Sequence, residues 1–273
     1  MLACALHLPY GRAMNATMTT VVVPFNLPGV HVGHLPGIFC AFDQVVSAHI
    51  ARLREGEDPL NLVAADFFQH LLETVDHDAF RRTQVEFLSP RWLESGNRTW
   101  VLKYVDPIIW FSTKLSVATK LGLHTDLPQR VLDIGTGPGH FPAVARYFGH
   151  DVTATERSGV IGATGFYGSF YRALCDIYGV ARVPLDVRAF EKLVGLDGRF
   201  DLMTAMLVAF DVDEEKEPWS IAAWDHFLDD ISQNVLNETG RIHVSVDLGK
   251  VPDRVAAHLR DRLSLSTRTS FWA

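Results

Sequence analysis

The chain has 273 residues, 48% of them hydrophobic, enough to bury a full core as one large domain or one domain with an extension. Its formal charge is −7 and no long Lys/Arg run occurs, which argues against a nucleic-acid backbone as main partner. Cys4, Cys40 and Cys175 are too widely spaced for a disulfide framework or a zinc pattern, so a reducing, cytoplasmic setting is expected.

The apolar stretch from Met1 to Leu8 precedes Arg12 instead of following a basic residue, the wrong order for a secretory signal. Prolines and glycines at Pro24, Pro28, Gly29, Gly33, Pro36 and Gly37 break the next apolar patches, which predicts no spanning helix and no membrane association. Residues 19–24 predict a short strand, followed by loop to Gly37. His31 and His34 lie within that loop with no Asp, Glu or Cys at a familiar interval, so they are not read as metal ligands.

Phe39, Phe42, Val45, Val46, Ile50 and Leu53 predict a helix ending near Gly56, and Leu62, Phe67, Phe68, Leu71, Leu72 and Val75 predict a second. Residues 79–97 read as mixed. Asp106 as N-cap and Pro107 at the first helical position open a third helix, striped by Ile108, Phe111, Leu115, Ala118 and Leu121 and stopped at Gly122. Residues 1–125 therefore read as a helical extension, and 126–273 as the second unit.

From residue 130 strands and helices alternate. Strands are expected at 130–135, 151–155, 180–185, 200–207 and 242–246, with helices between them and a turn at Asn237–Gly240. Repeated βα units predict an α/β, Rossmann-like, mainly parallel sheet covered by helices on both faces.

One stretch organises this unit: Val131 to Phe141, Val-Leu-Asp-Ile-Gly-Thr-Gly-Pro-Gly-His-Phe. A buried strand runs into glycines at 135, 137 and 139 and then into a helix. Glycines let a ligand approach the backbone, and the helix start offers unpaired N–H groups there. In open α/β sheets ligands bind at the carboxyl ends of the strands. The G-x-G-x-G spacing differs from the G-x-G-x-x-G of pyrophosphate binders. Asp133, two residues before the first glycine, would repel a diphosphate and suit a ligand carrying positive charge. Glu156, at the end of strand two, is placed to accept from ribose hydroxyls.

With Glu156 after strand two, this stretch resembles the first motif of the class I S-adenosylmethionine-dependent methyltransferases. The resemblance extends over about residues 100–247. It implies S-adenosyl-L-methionine as cofactor, held by Asp133, Gly135, Thr136, Gly137 and Gly139, with Glu156 and Arg157 at the ribose. Asp186 and Val187, after strand three, match the family's adenine contacts. Arg199 to Met206 resembles its fourth strand, which sets Ala205 and Met206 beside the methionine part. Leu236–His243 resembles the approach to strand five, with Glu238 and Thr239 replacing the usual Pro and Gly. Trp219, Trp224 and Phe227-Leu-Asp-Asp230 resemble bacterial methyltransferase-like proteins of unassigned substrate. After residue 247 only 26 residues are left for the family's helix and strand pair, leaving room for a shortened hairpin or one strand.

Methyl transfer needs in-line positioning, and a base only if the acceptor loses a proton. Asp211 is the candidate base by position, with His140 and His243 behind it. Ala209-Phe210-Asp211 stands where nucleic-acid amino methyltransferases carry Asn/Asp-Pro-Pro-aromatic, which leaves a small-molecule or sugar-like acceptor. The acidic run Asp211–Glu217 reads equally as substrate attraction or solvated loop, and Trp219 and Trp224 more readily as packing than as a platform. Tyr104 and Trp110 are candidates for a lid. Two alternatives stand beside this reading: a non-catalytic protein binding the same cofactor or its demethylated product, and a nicotinamide or flavin oxidoreductase.

Overall fold

The structure, a computed structural model, describes residues 41–89, 103–206, 217–246, 251–264 and 269–272. The expected strand at 19–24, the His31/His34 pair, Asp211 and most of the acidic run lie outside these residues. Helices α1 (Phe42–Arg54), α2 (Pro59–Thr74), α3 (His77–Phe87) and α4 (Ile109–Lys120) come first. Then follow β1 (Arg130–Ile134), α5 (His140–Tyr147), β2 (Asp151–Glu156), the short α6 (Ser158–Ile161), α7 (Phe166–Ile177), β3 (Arg182–Pro184) and β4 (Phe200–Met206). The chain continues through α8 (Ile221–Asp230), β5 (Leu236–Ser245), α9 (Asp253–Ser264) and β6 (Thr269–Trp272), and α8 passes into β5 through a π-helical turn at Ile231–Val235.

Among the described residues the strands form one sheet in the order β3-β2-β1-β4-β5-β6, and every neighbouring pair is parallel. This is the α/β architecture expected from the alternating pattern. The chain after β5 supplies one helix and one strand. The strand order turns back between β1 and β4, the place where open α/β sheets form a crevice at the strands' carboxyl ends.

Strand alternation divides the interior into two cores. Val131 and Leu202 face a core shared by α1–α5 and α7. Leu132, Ile134, Met203 and Ala205 face the opposite core, made with α8 and α9. The early helices are joined to the sheet unit through aromatics. Phe67 of α2 packs on Phe111 of α4 and Tyr147 of α5, with ring centroids 5.3 and 5.2 Å apart. Phe87 of α3 packs on Phe170 of α7 at 5.0 Å. Full burial of each such side chain contributes roughly 1.5–3 kcal/mol, so residues 42–120 and the sheet stabilise one another. Trp219 and Trp224 are buried in the opposite core beside Phe227, as packing residues.

Three local readings change. Within the stretch 79–97 expected to be mixed, residues up to Phe87 belong to a regular helix, His77–Phe87, capped by Asp76, whose carboxylate accepts from the Ala79 N–H. Its buried stripe is Phe80, Thr83, Gln84 and Phe87, half of it polar, which hid the apolar period. Gln84 meets its burial cost by donating to the Val105 carbonyl at 2.9 Å. The third expected helix begins at Ile109, and Asp106 accepts from the N–H groups of both Ile108 and Ile109. Asn237–Gly240 is not a separate turn: it lies within β5, where the register against β4 shifts between Phe200 and Leu202. A Cβ on Gly240 would stand 2.7 Å from the Leu236 Cβ and 3.1 Å from the Phe200 carbonyl oxygen. That irregularity therefore requires glycine.

Candidate functional site

The β1–α5 turn is left-handed at three alternate residues, with φ of +68° at Gly135, +57° at Gly137 and +84° at Gly139. Side chains at such positions are strained. Gly139 is also closed sterically, since a Cβ there would stand 3.1 Å from the Cys175 sulfur and 3.3 Å from Val180. Gly137 faces a more open side, where a Cβ would meet only Tyr171, at 3.7 Å. The turn is thus pinned at Gly139, while Gly137, though buried, has room for a Cβ beside Tyr171.

Two carboxylates from neighbouring strands hold the turn. Glu156 accepts from the Gly137 N–H and from the Arg157 N–H, each at 3.0 Å. Asp133 is buried and accepts from the Thr136 hydroxyl at one oxygen and from the Thr204 hydroxyl at the other, the latter at 2.6 Å. Burial pushes its carboxyl up to about 6, against the opposing pull of those two hydroxyls and of the Lys114 ammonium. The Thr136 N–H donates to the Thr155 carbonyl at 2.8 Å, fixing the start of the turn to β2.

Parallel register extends this polarity across the sheet. Asp133 is paired with Thr204 of β4, and Thr204 with His243 of β5. All three are buried within the sheet. Lys114 of α4 reaches this region: its ammonium lies 3.4 Å from the Met206 sulfur and 4.8 Å from the centroid of the Trp110 ring. Burial lowers the Lys114 ammonium to about 8, although Asp133 favours its charged form. Burial, with the Lys114 charge added, lowers His243 to about 3 and takes His140 well below the ordinary imidazole range. Both histidines are therefore neutral near pH 7, and His140 is enclosed by Phe111, Tyr178 and Tyr104.

The sequence-predicted residues fall into groups. Asp133, Gly135, Thr136, Gly137, Gly139, Glu156 and Arg157 are brought together in and around one turn. Met206, at the end of β4, is half-buried beside Lys114. Ala205 points into the opposite core, and Val187 packs at that core's edge. Asp186 is exposed, and its carboxylate is held below the usual carboxylate range by hydrogen bonding from Ser158, first from its side chain and then from its N–H at 3.0 Å. Asp211 lies outside the described residues. Tyr104 and Trp110 are buried edge to face, with centroids 5.1 Å apart, and the Lys103 ammonium lies 4.2 Å from the Trp110 ring.

Lys114 was the residue the sequence reading passed over. It stands three residues after Phe111 and four before Ala118, on the apolar stripe of its own helix, and a lysine on such a stripe is the signal that marks it.

No family model and no curated protein matches the chain. Among solved structures it is similar to the ribosomal protein L11 methylase of Lactobacillus delbrueckii subsp. bulgaricus, at 24% identity and a TM-score of 0.33, over 55% of this chain and 67% of that one. It is also similar to the glycopeptide N-methyltransferase MtfA, at 18% identity and a TM-score of 0.31, over 48% of this chain and 51% of that one. Both likenesses are partial and concern the fold alone.

Proposed function

We propose that the chain is an S-adenosyl-L-methionine-dependent methyltransferase acting on a small-molecule or sugar-like acceptor. The observation that carries the reading is the Gly137 N–H donated to Glu156. A dinucleotide site offers the amides of such a turn to a pyrophosphate. Here the amide is held by a carboxylate, and Asp133 lies buried in the same turn, so added phosphate charge would be repelled. The arrangement suits a ligand with a ribose and positive charge.

When bound, the sulfonium would supply a methyl group with a neutral thioether as leaving group. The chain's part is then orientation. Gly137 gives the close approach, Glu156 accepts from ribose hydroxyls with the lone pairs its backbone bonds leave, and Asp186 and Val187 border the base. Asp133 acts through the turn by fixing Thr136. Alignment of this kind contributes up to about 7–11 kcal/mol of barrier lowering in well-ordered cases. Asp211 is the proposed base for acceptors that lose a proton. Tyr104 and Trp110, packed at the crevice, form the proposed cover that excludes water.

Calorimetric titration with S-adenosylmethionine, its demethylated product and NAD tests the reading. Both adenosyl ligands should bind and NAD should not; binding of NAD alone overturns it. Glu156→Ala should weaken the adenosyl ligands about tenfold or more, and an unchanged affinity removes Glu156 from the site. Appearance of demethylated product in a metabolite pool separates a transferase from a protein that only binds.

A further inference from the structure

Lys114 is a buried ammonium with three donors, and its contacts are a thioether and an aromatic face. Neither is a strong acceptor. Among the described residues no carboxylate lies within ion-pair distance of it, and the nearby Asp133 has each oxygen engaged by a threonine hydroxyl. A buried charge without a strong counter-group is costly, and such groups persist mainly where something else completes them. The surroundings define what that is. Met206 ends β4, Asp133 belongs to the glycine turn, and β1 and β4 flank the crevice. Lys103 brings a second ammonium to the other contact of the same indole ring. Two cations thus meet at Trp110 in a chain whose formal charge is −7. Asp133 stands close by, so the completing anion must carry modest charge.

Resting on the adenosyl reading of the crevice, we propose that Lys114 is an anion-holding residue whose ammonium takes a ligand carboxylate at the β1–β4 crevice, between Trp110 and Met206. The carboxylate belongs either to the amino-acid end of the adenosyl ligand or to the acceptor. With the ammonium near 8 in the absence of a partner, a bound carboxylate also keeps it charged at neutral pH.

The full chain and its Lys114→Met variant, which matches the side chain in length without charge, are titrated with two probes. S-adenosylhomocysteine carries the carboxylate, and 5′-methylthioadenosine has lost the whole amino-acid end. Weakening of the first by about tenfold or more, with the second within about twofold, assigns the carboxylate to the adenosyl ligand. If both keep their affinity, benzoate is titrated onto the protein saturated with S-adenosylhomocysteine. Benzoate binding by the wild type that is lost in Lys114→Met assigns it to the acceptor. Equal benzoate behaviour in both proteins, or equal weakening of both adenosyl probes, overturns the role of Lys114. A wild type that binds neither adenosyl probe overturns the reading of the site, and this proposal with it. Lys114→Arg should retain at least part of any affinity that Lys114→Met loses.

Discussion

At the amino end of the sheet, Arg241 of β5 donates to the Leu121 carbonyl at 2.7 Å, to the Asp126 carboxylate at 2.9 Å and to the Gln129 side chain at 3.0 Å. Nearby, Asp201 accepts from the Arg130 N–H and from the Asn237 amide, at 2.8 and 2.7 Å. At the carboxyl end of the same strands, Lys114 meets a sulfur and a ring, and His140, His243 and Asp133 all have protonation displaced chiefly by burial. One end uses polar groups to lock helices and strands together. The other keeps polar groups whose environment opposes their charge, which costs stability. This sheet separates its hydrogen-bonded polar groups from its charge-opposed ones along the strand direction.

The strongest way to break this contrast is at the turn itself. Gly139→Val combines a forbidden backbone angle with a collision against Cys175 and Val180, and should destabilise by about 2–5 kcal/mol in denaturant melts. A loss under about 1 kcal/mol would mean the turn is not pinned as described.

Acid should come next. His243 binds its proton only near pH 3 when folded, against 6.5 otherwise, so the unfolded chain holds more protons between those values. The stability contributed by a neutral His243 is therefore present above about pH 6.5 and is lost as pH falls. His243→Gln removes that dependence. The stability difference between variant and wild type should move by about 2–3 kcal/mol in the variant's favour between pH 6.5 and 4.5. Asp133, raised when folded, acts in the opposite sense: its cost grows as pH rises from 3.8 towards 6 and is present in both proteins. A pH-independent difference would mean that folding leaves the His243 proton affinity unchanged.

The two ends also predict opposite signs. Arg241→Met should destabilise by about 1–3 kcal/mol and leave ligand affinity alone, because it strips partners from Asp126 and Gln129. Lys114→Met should stabilise the ligand-free protein at pH 7 by about 1–3 kcal/mol, since a costly buried charge is removed. That gain should shrink between about pH 8 and 10.5, where the folded wild type has already shed the proton and the unfolded chain has not. Two variants of the same sign would remove the contrast. Glu156→Ala should cost about 1–2 kcal/mol of stability, because the buried Gly137 amide loses its acceptor.

The parts legible in the sequence were those set by local pattern. Glycines at alternate positions after a buried strand allow one kind of turn, and the βα order fixed a parallel sheet with helices on both faces. What escaped depends on contacts distant in the chain. Thr204 lies 71 residues from Asp133, and nothing local announces that its hydroxyl will close that carboxylate. Lys114 is separated from Met206 by 92 residues, so its burial appears only when α4 folds over β4. Helix α3 escaped because Gln84 is buried for the sake of one carbonyl 21 residues away. The bulge in β5 escaped because Gly240 answers a steric demand set by Leu236 and Phe200, which local pattern does not announce.

Cys175 gives the glycine turn a chronometer. Its thiol contacts the Gly137 carbonyl at 3.5 Å and stands against Gly139, and burial pushes it up to about 12. Alkylating reagents attack the thiolate, so at neutral pH they must wait until α7 and the turn separate. The labelling rate at Cys175, resolved from Cys4 and Cys40 by peptide mass, therefore counts openings of the loop that a ligand would have to hold shut.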